Sequence, residues 1–92
     1  MLEPLLRDAD FMSARVLLLK YTYLESHRKA EAPEEAIRRH HVHERHIVEN
    51  AHRFKCEHLV LFHFSARYVA QEIRDAIQRI EAALGIPVQG LF

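Results

Sequence analysis

The chain has 92 residues, enough for one small domain or part of a larger one. Thirteen basic and thirteen acidic residues cancel, with eight histidines counted as neutral, which argues against a free-standing, charge-driven nucleic-acid binder. The single cysteine, Cys56, excludes an internal disulfide and predicts a reducing compartment. The longest apolar runs are too short to cross a bilayer, and no leader peptide is visible after Met1. We therefore expect a cytoplasmic protein without membrane contact.

The first part of the chain predicts a helix, a strand and a polar connection. Leu2–Met12 carries apolar residues among charges and has Pro4 near its start, which is typical of a short helix. Val16–Leu19 is a continuous apolar run followed by strand-forming residues, and it predicts a strand over Arg15–Tyr21 that is buried on both faces. Glu25–Glu31 is charged and predicts a loop or a loose helix.

The middle of the chain predicts two helices and a central strand. Ala32–Ile37 has a proline and two acids in its first turn, which indicates a helix start. A His-rich segment, His40–His46, follows. Apolar residues then recur at helical spacing and predict a helix over Glu44–Phe54. The run His58–His63 predicts the central strand.

The last part of the chain predicts the strongest helix and a final strand. Six apolar residues define one face of a helix over Val69–Leu84: Val69, Ile73, Ala76, Ile77, Ile80 and Leu84. Gly85 is a natural helix stop, and Pro87 prevents continuation. We expect a short strand over Pro87–Phe92.

Strands that alternate with helices predict an α/β fold with a small, mostly parallel sheet, right-handed crossovers and flanking helices. Three strands leave two sheet edges, and strands buried on both faces need cover on both. An uncovered edge or face invites pairing with another chain. The sequence therefore predicts a partner that completes the sheet.

The end of the central strand is the expected ligand site. The apolar run stops at His63, and the polar residues Ser65, Arg67 and Tyr68 follow before the next helix. Open α/β sheets bind ligands beyond the carboxyl ends of their strands. We expect His63 to lie at such an end.

Three blocks together resemble a known family. They are Val16–Glu25 (VLLLKYTYLE), His41-Val-His43 followed by Ile47–Ala51 (IVENA), and His63–Tyr68 (HFSARY). In this order and at these separations they resemble the C-terminal portion of ribonuclease Z (tRNase Z), the tRNA 3′-processing branch of the metallo-β-lactamase fold. The resemblance extends from about Leu5 to Phe92, and the HFSARY block is its most specific part.

The resemblance implies a function. It implies a four-layer αββα fold in which two zinc ions activate a hydroxide that hydrolyses a phosphodiester at the 3′ end of precursor tRNA. His63 matches the last zinc-binding histidine of the family, and His41 matches a histidine thought to assist proton transfer. Arg67 and Tyr68 match the motif without an assigned role. Residues 1–92 would form the single C-terminal part of such a domain, an endoribonuclease fragment that is inactive alone.

The departures from the family bear on activity. The metal motif His-x-His-x-Asp-His and the bridging aspartate are absent from the chain. Lys20 stands where the family has an acidic residue, and His40 stands where it has glycine. The resemblance therefore implies zinc as cofactor and tRNA as partner, with most ligands supplied by a missing N-terminal half or by a homo-oligomer. Whether the chain is itself an enzyme is left open.

A second histidine motif allows another interpretation. His41-Val-His43-Glu44-Arg45-His46 fits His-x-His-x-x-His and could itself be a metal site. The residues before it predict a helix rather than the buried strand that precedes the family motif, and Arg45 would place a cation beside the metal. We interpret the match as coincidence in a His-rich stretch.

Two further hypotheses remain open from the sequence. The chain could be a non-catalytic α/β interaction module that self-associates through its exposed sheet edges. It could also be a His-rich protein that responds to metal or to pH, since free imidazole titrates near ~6.5.

Overall fold

A computed structural model of the chain describes residues 2–20, 22–25, 32–38, 41–64 and 68–92. The helices are α1 (Glu3–Leu6), α2 (Ala9–Met12), α3 (Pro33–Arg38), α4 (Glu44–Glu49) and α5 (Ala70–Leu84), with a 3-10 helix at Ala51–Arg53. The strands are β1 (Val16–Leu19), β2 (Thr22–Tyr23), β3 (Val42–His43), β4 (His58–Phe62) and β5 (Val88–Leu91).

The predicted α/β class and parallel sheet are confirmed. The main sheet has the order β1-β4-β5, and both of its pairings are parallel. The strand predicted to be central is central. A second parallel pair, β2 with β3, joins Thr22 to Val42 and Tyr23 to His43. This pair was not predicted, because two-residue strands are too short to show any alternation.

Only one face of the main sheet is covered. Leu17, Leu59 and Leu61 point to the covered face and pack in a core with Ile47 of α4 and Ile80 of α5. The other face, called here the open face, consists of alternate strand residues: Val16, Leu18, His58, Val60, Phe62, Gln89 and Leu91. The prediction that Arg15–Tyr21 is buried on both faces is therefore wrong. Val16 is 49% exposed and Leu18 is 54% exposed, since no described helix covers them.

Helix α5 confirms the strongest helix prediction. At its start the Glu72 carboxylate accepts a hydrogen bond from the Val69 backbone N–H at 3.1 Å. It ends at Gly85, whose φ of +71° is the left-handed conformation that favours glycine at a helix end. Gly90 of β5 faces α5, and a Cβ at this position would collide with Cδ1 of Ile77. The small residue lets the helix approach the sheet closely.

Two predicted helices are shorter than expected. Leu2–Met12 is divided because Asp8 has an extended backbone and starts α2, where its carboxylate accepts from the Phe11 N–H at 3.0 Å. The helix predicted over Glu44–Phe54 starts at Glu44 but leaves α-helical geometry after Glu49. There the side-chain amide of Asn50 donates to the His46 carbonyl at 2.8 Å and ends the helix.

Parts of four predicted segments lie outside the described residues: residue 21 of Arg15–Tyr21, 26–31 of the Glu25–Glu31 connection, residue 40 of His40–His46, and 65–67 of the polar stretch that follows the central strand. Within the described ranges, no helix combines the length and apolar character that a bilayer crossing requires.

Candidate functional site

His63 follows directly after β4 and has an unusual backbone. Its φ is +61°, and it is the only non-glycine residue with positive φ in the described part of the chain. Its side chain is exposed. Non-glycine residues are uncommon in this left-handed region, and such strained positions cluster at functional sites. The structure thus places the predicted zinc ligand immediately beyond the central strand.

His41 lies directly before β3 and packs against an aromatic ring. Its imidazole meets the ring of Tyr23 edge-on, with ring centroids 4.8 Å apart and an interplanar angle of 87°. Its backbone N–H donates to the carbonyl of Ala36 at 2.7 Å, which ties it to α3. The ring is therefore held between the end of α3 and the short β2–β3 pair.

The topology places Lys20 and His63 at the carboxyl edge of the main sheet, and His41 at the amino end of β3. Leu19 ends β1 beside Leu61 of β4, so Lys20 and His63 follow the carboxyl ends of adjacent strands. Two residues separate β1 from β2, and β2 begins beside the residue that follows His41. The carboxyl edge is the one at which parallel sheets bind ligands.

The described residues do not fit a complete zinc site. They contain no group of three or more His, Cys, Asp or Glu side chains that could hold a metal ion. Zinc in proteins takes three or four protein ligands. His63 would supply one such ligand.

The His-x-His-x-x-His stretch is built as a helix start. His43 is buried, and its Nδ1 accepts a hydrogen bond from the Arg45 N–H at 3.0 Å, which caps α4. An imidazole nitrogen used in this way is not available to a metal. The interpretation of this motif as coincidence stays a prediction.

Glu44 is a buried carboxylate with three donors. Its side chain is only 3% exposed, and it accepts from Nε of Arg79 at 2.6 Å and from Nη2 of Arg79 at 2.9 Å. The backbone N–H of Glu25 donates to it at 3.0 Å. Buried charges persist when they are paired and hydrogen-bonded. This one joins α4, α5 and the segment after β2.

Arg45 and Glu25 form a second, exposed pair beside the first. Nε and Nη2 of Arg45 donate to the two carboxylate oxygens of Glu25 at 2.7 and 2.9 Å. These hydrogen bonds lower the pKa of Glu25 below its usual value of 4.5, against a smaller opposing effect of burial. The same contact raises the pKa of Arg45.

The lowered pKa of Glu25 predicts an acid-dependent loss of stability. A carboxylate with a depressed folded pKa contributes stability above pH 4.5, and this contribution is lost as the pH falls through the folded value. We expect Glu25→Gln to make the free energy of unfolding, measured with urea, less dependent on pH between about pH 5 and 3. The difference should be less than about 1 kcal/mol because the pair is exposed. Glu34→Gln, an exposed carboxylate on α3, is the matched control. An equal flattening in both variants would contradict the assignment.

Tyr68 links two of the motif blocks. Its hydroxyl accepts from the Leu24 N–H at 2.8 Å and donates to the Leu24 carbonyl at 3.4 Å, and the side chain is buried. Tyr68 ends the HFSARY block, and Leu24 lies in the VLLLKYTYLE block, 44 residues earlier. The sequence assigned Tyr68 no role, because no local pattern reveals a hydrogen bond across such a separation.

Cys56 is buried, and burial raises the pKa of its thiol. A raised pKa leaves little thiolate, the reactive form of cysteine.

Comparison with known proteins supports the resemblance. The chain is 34% identical over 88 residues to tRNase Z TRZ2, chloroplastic, of Arabidopsis thaliana, a match that covers 96% of this chain and 23% of that protein. It is 36% identical over 83 residues to tRNase Z TRZ1 of the same organism, covering 90% of this chain and 27% of that protein. No protein-family model matches the chain.

The chain therefore resembles a portion of tRNase Z, as the three sequence blocks predicted. It spans about a quarter of the length of the curated relatives that it matches. Neither relative favours the alternative of a non-catalytic interaction module.

Proposed function

We propose that residues 1–92 are the C-terminal part of a tRNase Z-like, zinc-dependent phosphodiesterase that processes tRNA 3′ ends and needs a second portion for activity. The observation that carries this proposal is the match itself. Identity of 34–36% extends over 90–96% of this chain, yet it accounts for only 23–27% of each relative. The chain then forms one wall of an active site within a metallo-β-lactamase-like αββα fold.

His63 and His41 carry the proposed roles. His63 supplies one metal ligand, and His41 assists proton transfer near the scissile phosphate. The position of His63 beyond the carboxyl end of β4 supports its role, and the pairing of the residue after His41 with the start of β2, the strand that follows β1, supports the role of His41. The remaining ligands come from the portion that the chain lacks.

The open face is the proposed contact with that portion. Val16, Leu18 and Leu91 are about half exposed, and Val60 and Phe62 lie between them, partly buried. Sheets that pack face to face bury such alternate residues in a layer about 10 Å thick. An apolar sheet face opposite the helix-covered face supports an αββα arrangement completed by a second sheet.

The test is complementation. The chain is mixed with the separately purified N-terminal three-quarters of tRNase Z TRZ1, and zinc content and cleavage of precursor tRNA are measured. We expect the mixture to bind zinc and cleave at least 10-fold faster than either component. His63→Ala should lower zinc content and cleavage, whereas Gln78→Ala, at an exposed position of α5, should change neither.

Two outcomes decide between parts of the proposal. Cleavage by the chain alone would refute the need for a second portion. An inactive mixture whose zinc content is the same with and without His63→Ala would refute the proposed site. Lys20→Glu restores the acidic residue of the family, and we expect it to raise the rate of the mixture.

A further inference from the structure

A hollow of about 620 Å³ lies between the first two helices and the segment around the 3-10 helix. We call it the basic hollow, after the four side chains Arg7, His52, Arg53 and Lys55 in its lining. The other described lining residues are small or apolar: Leu6, Ala9, Met12 and Ser13. The hollow is distinct from the candidate site and has no role in the function proposed above.

The basic hollow concentrates positive charge. Three of its lining side chains are arginine or lysine, and the fourth basic side chain is the imidazole of His52. None of the described lining residues is acidic. Asp8 and Asp10 are close in sequence, but neither is in the lining, and the Asp8 carboxylate caps α2.

Arg53 and Lys55 of the hollow differ from three exposed arginines elsewhere in the described ranges. Arg15, Arg38 and Arg45 each contact a carboxylate at 2.6–2.9 Å. Arg53 and Lys55 form no ion pair with any carboxylate in the described ranges. Charges without a neutralising partner remain available to an anionic ligand.

The hollow lies at the opposite edge of the sheet from His63. The Lys55 N–H donates to the Met12 carbonyl at 3.0 Å, which joins the segments that lead into β1 and β4 at their amino ends. His63 follows the carboxyl end of β4. The five residues of β4 separate the two edges by about 16 Å. A ligand in the hollow therefore does not occupy the candidate site.

We propose that the basic hollow binds phosphate groups of the RNA backbone and holds the substrate at a distance from the cleaved bond. The proposal rests on the proposed function, because that function supplies the RNA. Guanidinium groups bind phosphate through paired hydrogen bonds, and lysine acts as a point charge. The chain has zero net charge, so the attraction is local and sensitive to salt.

The test measures tRNA binding to the full chain by fluorescence anisotropy at several salt concentrations. Three phosphate contacts predict a slope of log affinity against log salt near about −2, which is a loss of about 20-fold between 50 and 200 mM. The double variant Arg53→Gln with Lys55→Gln leaves one contact. We expect its affinity for tRNA to fall only about 3-fold over the same salt range, and to be lower than that of the unmodified chain at 50 mM. Arg74→Gln removes an exposed cation of α5 outside the hollow and should leave the slope unchanged.

The outcomes separate this inference from the proposed function. No binding of tRNA at 50 mM salt, or an unchanged slope in the double variant, overturns the RNA site and leaves the complementation result standing. Slopes that depend on Arg53 and Lys55 support the site even where the mixture is inactive. The second part of the test is a titration with inorganic phosphate, in which the NMR shifts of the Arg53 and Lys55 amides are measured. Saturable shifts with phosphate in a chain that does not bind tRNA assign the hollow to a free anion and refute the proposal.

Discussion

Leu61→Ala is expected to lower the free energy of unfolding by about 3–4 kcal/mol, within the range for large-to-small changes in a protein core. Leu61 is 0% exposed and lies in the central strand, between Leu19 of β1 and Gly90 of β5. Truncation leaves a cavity that neither neighbouring strand can fill without shifting. Urea unfolding followed by circular dichroism measures the loss, because the midpoint falls while the slope stays the same.

Leu18→Ala is the matched control for this prediction. Leu18 is the same residue type in the same sheet, but it lies on the open face and is 54% exposed. We expect it to cost less than about 1 kcal/mol, since most of its surface is already in water. Equal losses in the two variants would mean that the sheet is packed on both faces in solution, and the open face would then not exist.

Arg79→Met is expected to cost about 3 kcal/mol, at the lower end of the range for breaking a buried ion pair because Arg79 is itself half exposed. Methionine keeps the apolar contacts of the arginine stem, so the loss comes from the Glu44 carboxylate. That carboxylate is 3% exposed and would retain only the backbone N–H of Glu25 as a donor. The measurement is the urea midpoint at pH 7.

A double-mutant cycle isolates the pair. Glu44→Gln in the Arg79→Met background removes the buried charge, so we expect the double variant to be more stable than Arg79→Met alone. Arg74→Met, on the exposed side of the same helix, controls for the change of residue type. If Arg79→Met costs no more than Arg74→Met, Glu44 is solvated in solution and does not join α4 to α5.

The sequence predicted the elements whose pattern is long. Helix α5 was found because six apolar residues repeat at helical spacing and Gly85 ends them. The central strand was found because Leu59–Phe62 is apolar without interruption. Continuous apolar runs also explain why the prediction of burial on both faces was wrong. A strand with one covered and one exposed apolar face has the same sequence pattern as a strand buried on both faces.

The roles of the candidate site residues stay predictions. His63 and His41 were named from their motifs, and the structure places His63 directly after β4 and His41 directly before β3. The contacts that hold this region together were not predicted. Tyr68 reaches Leu24, and Arg79 reaches Glu44, over separations of 44 and 35 residues. Such pairs depend on how α5 packs, which no local pattern contains.

The parallel pairing of β1 with β4 also governs how the chain folds as it is synthesised. Val16 pairs with His58, 42 positions later, so β1 has no partner in the main sheet until that residue has been made. Synthesis adds about 5–20 residues per second, so the apolar run of β1 stays unpaired for roughly 2–8 seconds. Strand β5, made last, completes the sheet after α5. The N-terminal strand is thus exposed to aggregation and chaperone binding for longer than any other strand of the sheet.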